Sequence, residues 1–157
     1  MPTTLNVTTP ADREVCVTRK FTAPAPLVFD CHTKPELVKR WLLGPPGWSM
    51  PVCEIDFTVG GRFRYLWRND ADGREFGLRG QFLEIVSPER IVHVETMDGM
   101  PGESTVTTTF EDEGPETRFT LRIVFDSQAT RDMALQTGMT DGMATSYDRL
   151  QELMDRA

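Results

Sequence analysis

The chain has 157 residues, 39% of them hydrophobic and 26% charged, with 17 Lys and Arg against 24 Asp and Glu and a formal net charge of -7. A chain of this size forms one ordinary domain and buries a core without disulfide staples. The acidic balance works against phosphate backbones and anionic lipid surfaces, which need clustered Lys and Arg, so neither nucleic acid nor membrane is an expected partner.

Residues 1 to about 12, rich in Thr and Pro, read as a flexible arm, and 13–157 as one domain. Glu14 to Phe21 reads as a strand, with Val15, Val17 and Phe21 nearly alternating with polar residues. Ala23-Pro24-Ala25-Pro26 ends it and opens a short helix carrying Leu27, Val28 and Phe29, since proline suits a first helical turn. Lys34-Pro35-Glu36 starts a second short helix with Leu37, Val38, Trp41 and Leu42, stopped at Gly44-Pro45-Pro46-Gly47.

Strands and turns follow. Val52 to Phe57 runs into Gly60-Gly61; Arg62 to Arg68 alternates Phe63, Tyr65 and Trp67 against arginines. Asn69 to Gly73 forms a hairpin loop, Phe76 to Val86 a longer strand, and Ile91 to Met97 another, closed by Asp98-Gly99-Met100-Pro101-Gly102. Val106, Thr108 and Phe110 share one face of the next strand, and Phe119, Leu121, Ile123 and Phe125 one face of the last. After Ser127 the period changes: Leu135, Met139, Met143, Tyr147, Leu150 and Met154 mark one face of a helix about seven turns long.

This order defines an α+β fold: a curved antiparallel sheet of six to seven strands around a long C-terminal helix, with two short helices after the first strand. One helix covering so wide a sheet forces the sheet to curve, and the interior is then either filled by large side chains or left as a cavity.

The run GGRFRYLWRNDADGREFGLRGQFLEIVSPERIVHVE resembles the family related to the C-terminal domain of the activator of heat-shock-protein-90 ATPase, within the START-like (SRPBCC) superfamily of helix-grip domains. The resemblance extends through residues 103–110, 131–143 and 148–154, and takes in Arg19-Lys20-Phe21-Thr22-Ala23-Pro24 and the segment around Trp41, for coverage of about 13–156. Leu42 and Met143 stand where relatives often carry Trp, which reshapes any pocket. The resemblance implies the helix-grip fold; function has to be argued from a site.

The expected ligand cavity comprises Trp41, Trp48, Phe63, Tyr65, Trp67, Phe76, Arg79, His93, Met139 and Met143. Thioethers and aromatics suit adaptable apolar recognition, and stripes of the same kind also make plain core. Arg79 is included in case a bulge turns it inward toward an anionic ligand; Arg62, Arg64, Arg68, Arg118 and Arg122 are expected on the convex face, opposite carboxylates. Gly138 and Gly142 either admit close approach to the helix backbone or mark a break in it. His93 and Glu95 share a strand face, as do Glu54 and Asp56, and either pair could do acid–base work if buried. His32 follows Cys31 without a second Cys/His pair at metal spacing, so no zinc site is expected.

Cys16, Cys31 and Cys53 form an odd set without CxxC spacing, and the N-terminus shows no export signal, which reads as reduced thiols in a cytoplasmic protein. The leading expectation is a domain that binds or senses an apolar or aromatic small molecule, with no cofactor and no assigned catalytic residue. Two others stand beside it: a chaperone-regulating interaction protein, against which the lack of an additional N-terminal domain counts, and a cyclase or hydrolase using His93, Glu95 or Tyr65. A homodimer is compatible with all three.

Overall fold

The structure, a computed structural model, describes residues 5–100 and 102–156. Residues 1–4 of the expected arm, Pro101 of the expected turn and Ala157 lie outside the described residues.

Eight strands form one antiparallel sheet: β1 (Asn6–Thr8), β2 (Glu14–Phe21), β3 (Trp48–Ile55), β4 (Arg62–Asn69), β5 (Glu75–Val86), β6 (Arg90–Met97), β7 (Ser104–Glu113) and β8 (Glu116–Val124). Their spatial order is β1-β2-β8-β7-β6-β5-β4-β3. The helices are α1 (Ala25–Thr33), α2 (Pro35–Trp41), α3 (Gln128–Gln136) and α4 (Met139–Asp155). The fold is the expected one with two differences. The segment read as a loose arm supplies β1, which pairs Asn6, Val7 and Thr8 with Thr18, Val17 and Cys16 at the sheet edge. The seven-turn helix is divided at Gly138, whose φ of 80° lies in the left-handed region that glycine enters without steric cost. At Gly142, one turn on, an added Cβ would meet the Pro45 ring at 3.6 Å, an ordinary van der Waals contact. Of the two roles considered for these glycines, Gly138 breaks the helix, and the packing at Gly142 does not require a glycine.

The elements begin where local chemistry allows. Pro26 and Pro35 occupy first-turn positions of α1 and α2, where a missing N–H costs nothing. The Ser127 hydroxyl caps α3 by accepting from the Thr130 amide at 3.1 Å. Strand alternation places Val15, Val17, Phe21, Phe63, Phe82, Ile91, Val106, Phe110, Phe119 and Ile123 inside, facing Tyr147, Leu150 and Met154 of α4. The α4 helix, about 26 Å long at 1.5 Å per residue, is thus covered by the sheet along its apolar side.

Three polar contacts fasten helices to their surroundings. The Trp41 indole donates to the Cys31 carbonyl at 2.8 Å. The Gly44 amide donates to the Ser146 hydroxyl at 2.8 Å. Arg149 donates to the carbonyls of Trp41 and Gly44 at 2.9 and 3.2 Å, which closes the end of α2 over α4. Arg19 brings a charge into this interior: it points inward from β2, is 4% exposed, and donates to Asp148 of α4 at 2.6 Å. Its guanidinium carbon sits 4.7 Å from the Phe21 ring centroid, and its Nε and Nη2 have no partner among the described residues.

Candidate functional site

Between the sheet and α4 lies a cavity of about 560 Å³. Its sheet wall is built by alternation on adjacent strands. Phe63, Tyr65 and Trp67 come from β4, Leu78 and Phe82 from β5, His93 and Glu95 from β6, and Thr108 and Phe110 from β7. Its helical wall is Met139, Met143, Ser146 and Tyr147, with His32, Trp41 and Leu42 closing one side. Trp48 and Phe76 border it where Phe76 stacks on Trp67 at 4.9 Å and meets Trp48 edge-on at 5.3 Å. Phe76 is 38% exposed, which marks this as the open side.

Nine of the ten expected cavity residues therefore surround one space: Trp41, Trp48, Phe63, Tyr65, Trp67, Phe76, His93, Met139 and Met143. Arg79 does not. It is exposed on the convex face and donates to Asp98 at 3.2 Å, beside the bidentate Arg64–Asp98 pair at 3.0 and 2.8 Å. The physical reason is the position of the bulge: β5 changes register between Phe82 and Glu84, beyond Arg79, so the outward phase of the strand is intact at Arg79. Arg64, and after it Arg79, holds the Asp98 carboxyl below the usual carboxylate range. Glu54 pairs in register with Arg64, and Asp56 lies past the end of β3; neither lines the cavity.

The polar groups of the cavity are few. His93 and Glu95, two residues apart on β6, point the same way and share a hydrogen bond at 2.8 Å, the imidazole Nε2–H donating to the carboxylate Oε1. The His93 ring also meets Phe63 edge-on at 5.1 Å. Phe63 in turn sits against Gly80, its register partner, where a Cβ would overlap the Phe63 ring and the Val94 carbonyl. Gly80→Ala is therefore expected to destabilise the protein by about 1–3 kcal/mol, because the backbone carbonyl cannot retreat; urea denaturation checks this.

Burial pushes the hydroxyls of Tyr65 and Tyr147 above the ordinary phenol range, with a smaller push from Glu95 on each, so both remain neutral donors. His32 was not expected here. Its Nδ1–H donates to the Val28 carbonyl at 2.7 Å, one helical turn back, while Nε2 is buried without a partner. The ring stacks on Phe119 at 5.2 Å and meets Trp41 and Phe110 edge-on. Burial lowers its pKa to about 4, so it is a neutral imidazole at ordinary pH. Burial also pushes the Cys53 thiol up to about 11, too high for a thiolate nucleophile. No group of three or more His, Cys, Asp or Glu suited to holding a metal ion occurs among the described residues. No helix among them is long and apolar enough to cross a membrane.

Two of the residues that sequence reasoning omitted, Tyr147 and His32, had unequal signals. Tyr147 is four residues after Met143 on the same helical face and could have been included on spacing alone. His32 faces inward only because α1 packs that side against Phe110 and Phe119, which no local pattern announces.

An antiparallel sheet gripping a C-terminal helix, with an apolar space between them, defines the helix-grip, START-like class of domains. The family model described as "Activator of Hsp90 ATPase homolog 1-like protein" matches residues 22–155, and the chain belongs to that family. Among solved structures, a Rhodobacter sphaeroides protein is 24% identical, covers 98% of this chain and 100% of its own, and superposes with a TM-score of 0.92. A Nitrosomonas europaea protein is also 24% identical, with 94% and 97% coverage and a TM-score of 0.83. An Hsp90 activator from Plasmodium falciparum is 23% identical over 71% of this chain and 72% of its own, with a TM-score of 0.56. At these identities the likeness is one of fold. No curated protein matches the chain.

Proposed function

We propose that residues 13–157, with β1 added at the sheet edge, form one cytoplasmic domain that binds a small, mainly apolar molecule with a flat or aromatic body between the sheet and α4. The observation that carries this reading is the cavity itself: about 560 Å³, walled by aromatic and Met side chains, with a small set of inward polar groups. Ligand sites of proteins share that size, about 300–1,000 Å³, and that composition. The methionines on α4 adapt their shape to the occupant. His93, Glu95, Tyr65 and Tyr147 supply orientation.

The test is native mass spectrometry of freshly purified protein, followed by denaturation to release and identify what it carried. A stoichiometric passenger is expected in the natural chain and its loss is expected in Met143→Trp, since the larger side chain occupies the space the ligand needs. A clean unliganded mass, together with no thermal shift across a panel of lipids and aromatic compounds, would sink the reading. A second reading, regulation of a chaperone, is supported by the family description and by the Hsp90 activator of like fold. It takes precedence if the cavity proves empty and the purified protein changes the ATPase rate of Hsp90.

A further inference from the structure

The inward polar groups of the cavity are unequally divided between acceptors and cationic donors. No Arg or Lys occurs among the described residues that line it, and its acid is Glu95. Of the three indoles at its walls, Trp41 donates to the Cys31 carbonyl at 2.8 Å and Trp67 to the Leu42 carbonyl at 2.7 Å, and Trp48, at the open side, is a neutral donor. His32 offers a bare Nε2, an acceptor without a partner. The Glu95 contact with His93 engages Oε1 and leaves the lone pairs of the second carboxylate oxygen without a partner among the described residues.

Aromatic rings line the same cavity as that carboxylate. Phe63 lies 5.1 Å from the His93 ring and 5.0 Å from Tyr65, and Tyr65 lies 5.8 Å from Trp67. Burial first, and Glu95 to a smaller extent, raises the pKa of Tyr65 on β4 and of Tyr147 on α4, with Arg19 opposing at Tyr147, so the Glu95 carboxylate is felt on both walls of the same space. A carboxylate set among aromatic rings recognises a cation, because the rings attract positive charge and the carboxylate neutralises it. The same arrangement repels a carboxylate or phosphate head group, which would meet a like charge with no Arg or Lys of the lining to offset it.

We infer that the molecule held in this cavity is an amine: an apolar or aromatic body with a protonated nitrogen seated on the Glu95 carboxylate among Phe63, Tyr65 and Tyr147. This inference rests on the ligand-binding reading and narrows it. It separates the cavity from one built for fatty acids or other anionic amphiphiles.

Three compounds with one skeleton test it: 4-phenylbutylamine, 4-phenylbutanol and 4-phenylbutyrate, titrated calorimetrically at neutral pH into the natural chain and into Glu95→Gln. In the natural chain the amine is expected to bind about tenfold or more tighter than the alcohol, with the acid weakest. In Glu95→Gln the advantage of the amine over the alcohol disappears, while an unchanged circular-dichroism spectrum and melting temperature report an intact fold. If the alcohol or the acid matches the amine in the natural chain, or the preference survives Glu95→Gln, the amine inference falls and the ligand-binding reading stands. If none of the three binds at millimolar concentration, both fall.

Discussion

Asp148→Ala is expected to cost on the order of 3–5 kcal/mol of folding stability, although Asp148 itself is half-exposed. The reason lies in its partner. Arg19 is 4% exposed and cannot lose its proton, and its contact with Asp148 at 2.6 Å is its charge neutralisation. Two of its nitrogens are already without partners, so removal of the carboxylate leaves a buried cation with little besides the face of Phe21 to favour it. Arg19→Met removes the charge and keeps a long apolar stem, and the pair Arg19→Met/Asp148→Ala is expected to be much nearer the natural protein than Asp148→Ala alone. Chemical denaturation of the four proteins gives the coupling directly. A cost for Asp148→Ala below about 1 kcal/mol would mean that water reaches Arg19 from the Asp148 side.

The second large effect is a loss of stability in acid that His32 accounts for. Its folded pKa is lowered from 6.5 to about 4 by burial, the Val28 carbonyl opposing the shift only in part. The sign follows from proton uptake. Below 6.5 the unfolded chain binds a proton at this residue that the folded chain refuses, so stability is complete above 6.5 and declines as pH falls toward 4. The loss amounts to about 3 kcal/mol once pH is below 4. His32→Phe keeps a ring against Phe119 and carries no titrating group. The difference in unfolding free energy between His32→Phe and the natural chain is expected to grow in favour of the variant across this interval. Comparing the two proteins cancels the carboxylates, which are common to both. Parallel curves for the two proteins from pH 7 to 4 would exclude His32 as the cause.

Most of the architecture was legible because its signals are local. Alternation of Phe63, Tyr65 and Trp67 located β4 and its inward face, and the steps of four, four and three from Met139 through Met143 and Tyr147 to Leu150 located the covered side of α4. What was not legible depended on tertiary context. β1 is three residues of an unremarkable polar segment, and it exists because β2 offers a free edge. Arg19 sits at an inward phase of β2, and nothing in its own neighbourhood says that Asp148, 129 residues later, will meet it. Arg79 turned on a bulge whose exact place the sequence does not mark. The site divided the same way: aromatic cavity residues were found by periodicity, whereas His32 required knowing how α1 packs.

The sheet remains open, and that has a consequence for how copies of the chain meet. One border is β1, three residues long among the described residues and laid over the middle of β2. The other is β3, where Pro51 removes an amide and the register shifts between Ser49 and Val52. Short, proline-interrupted borders are poor templates for an incoming strand. Growth of the sheet from molecule to molecule, the first step toward fibrillar aggregates, is therefore frustrated at both ends, and copies that do associate must meet through their faces or helices instead.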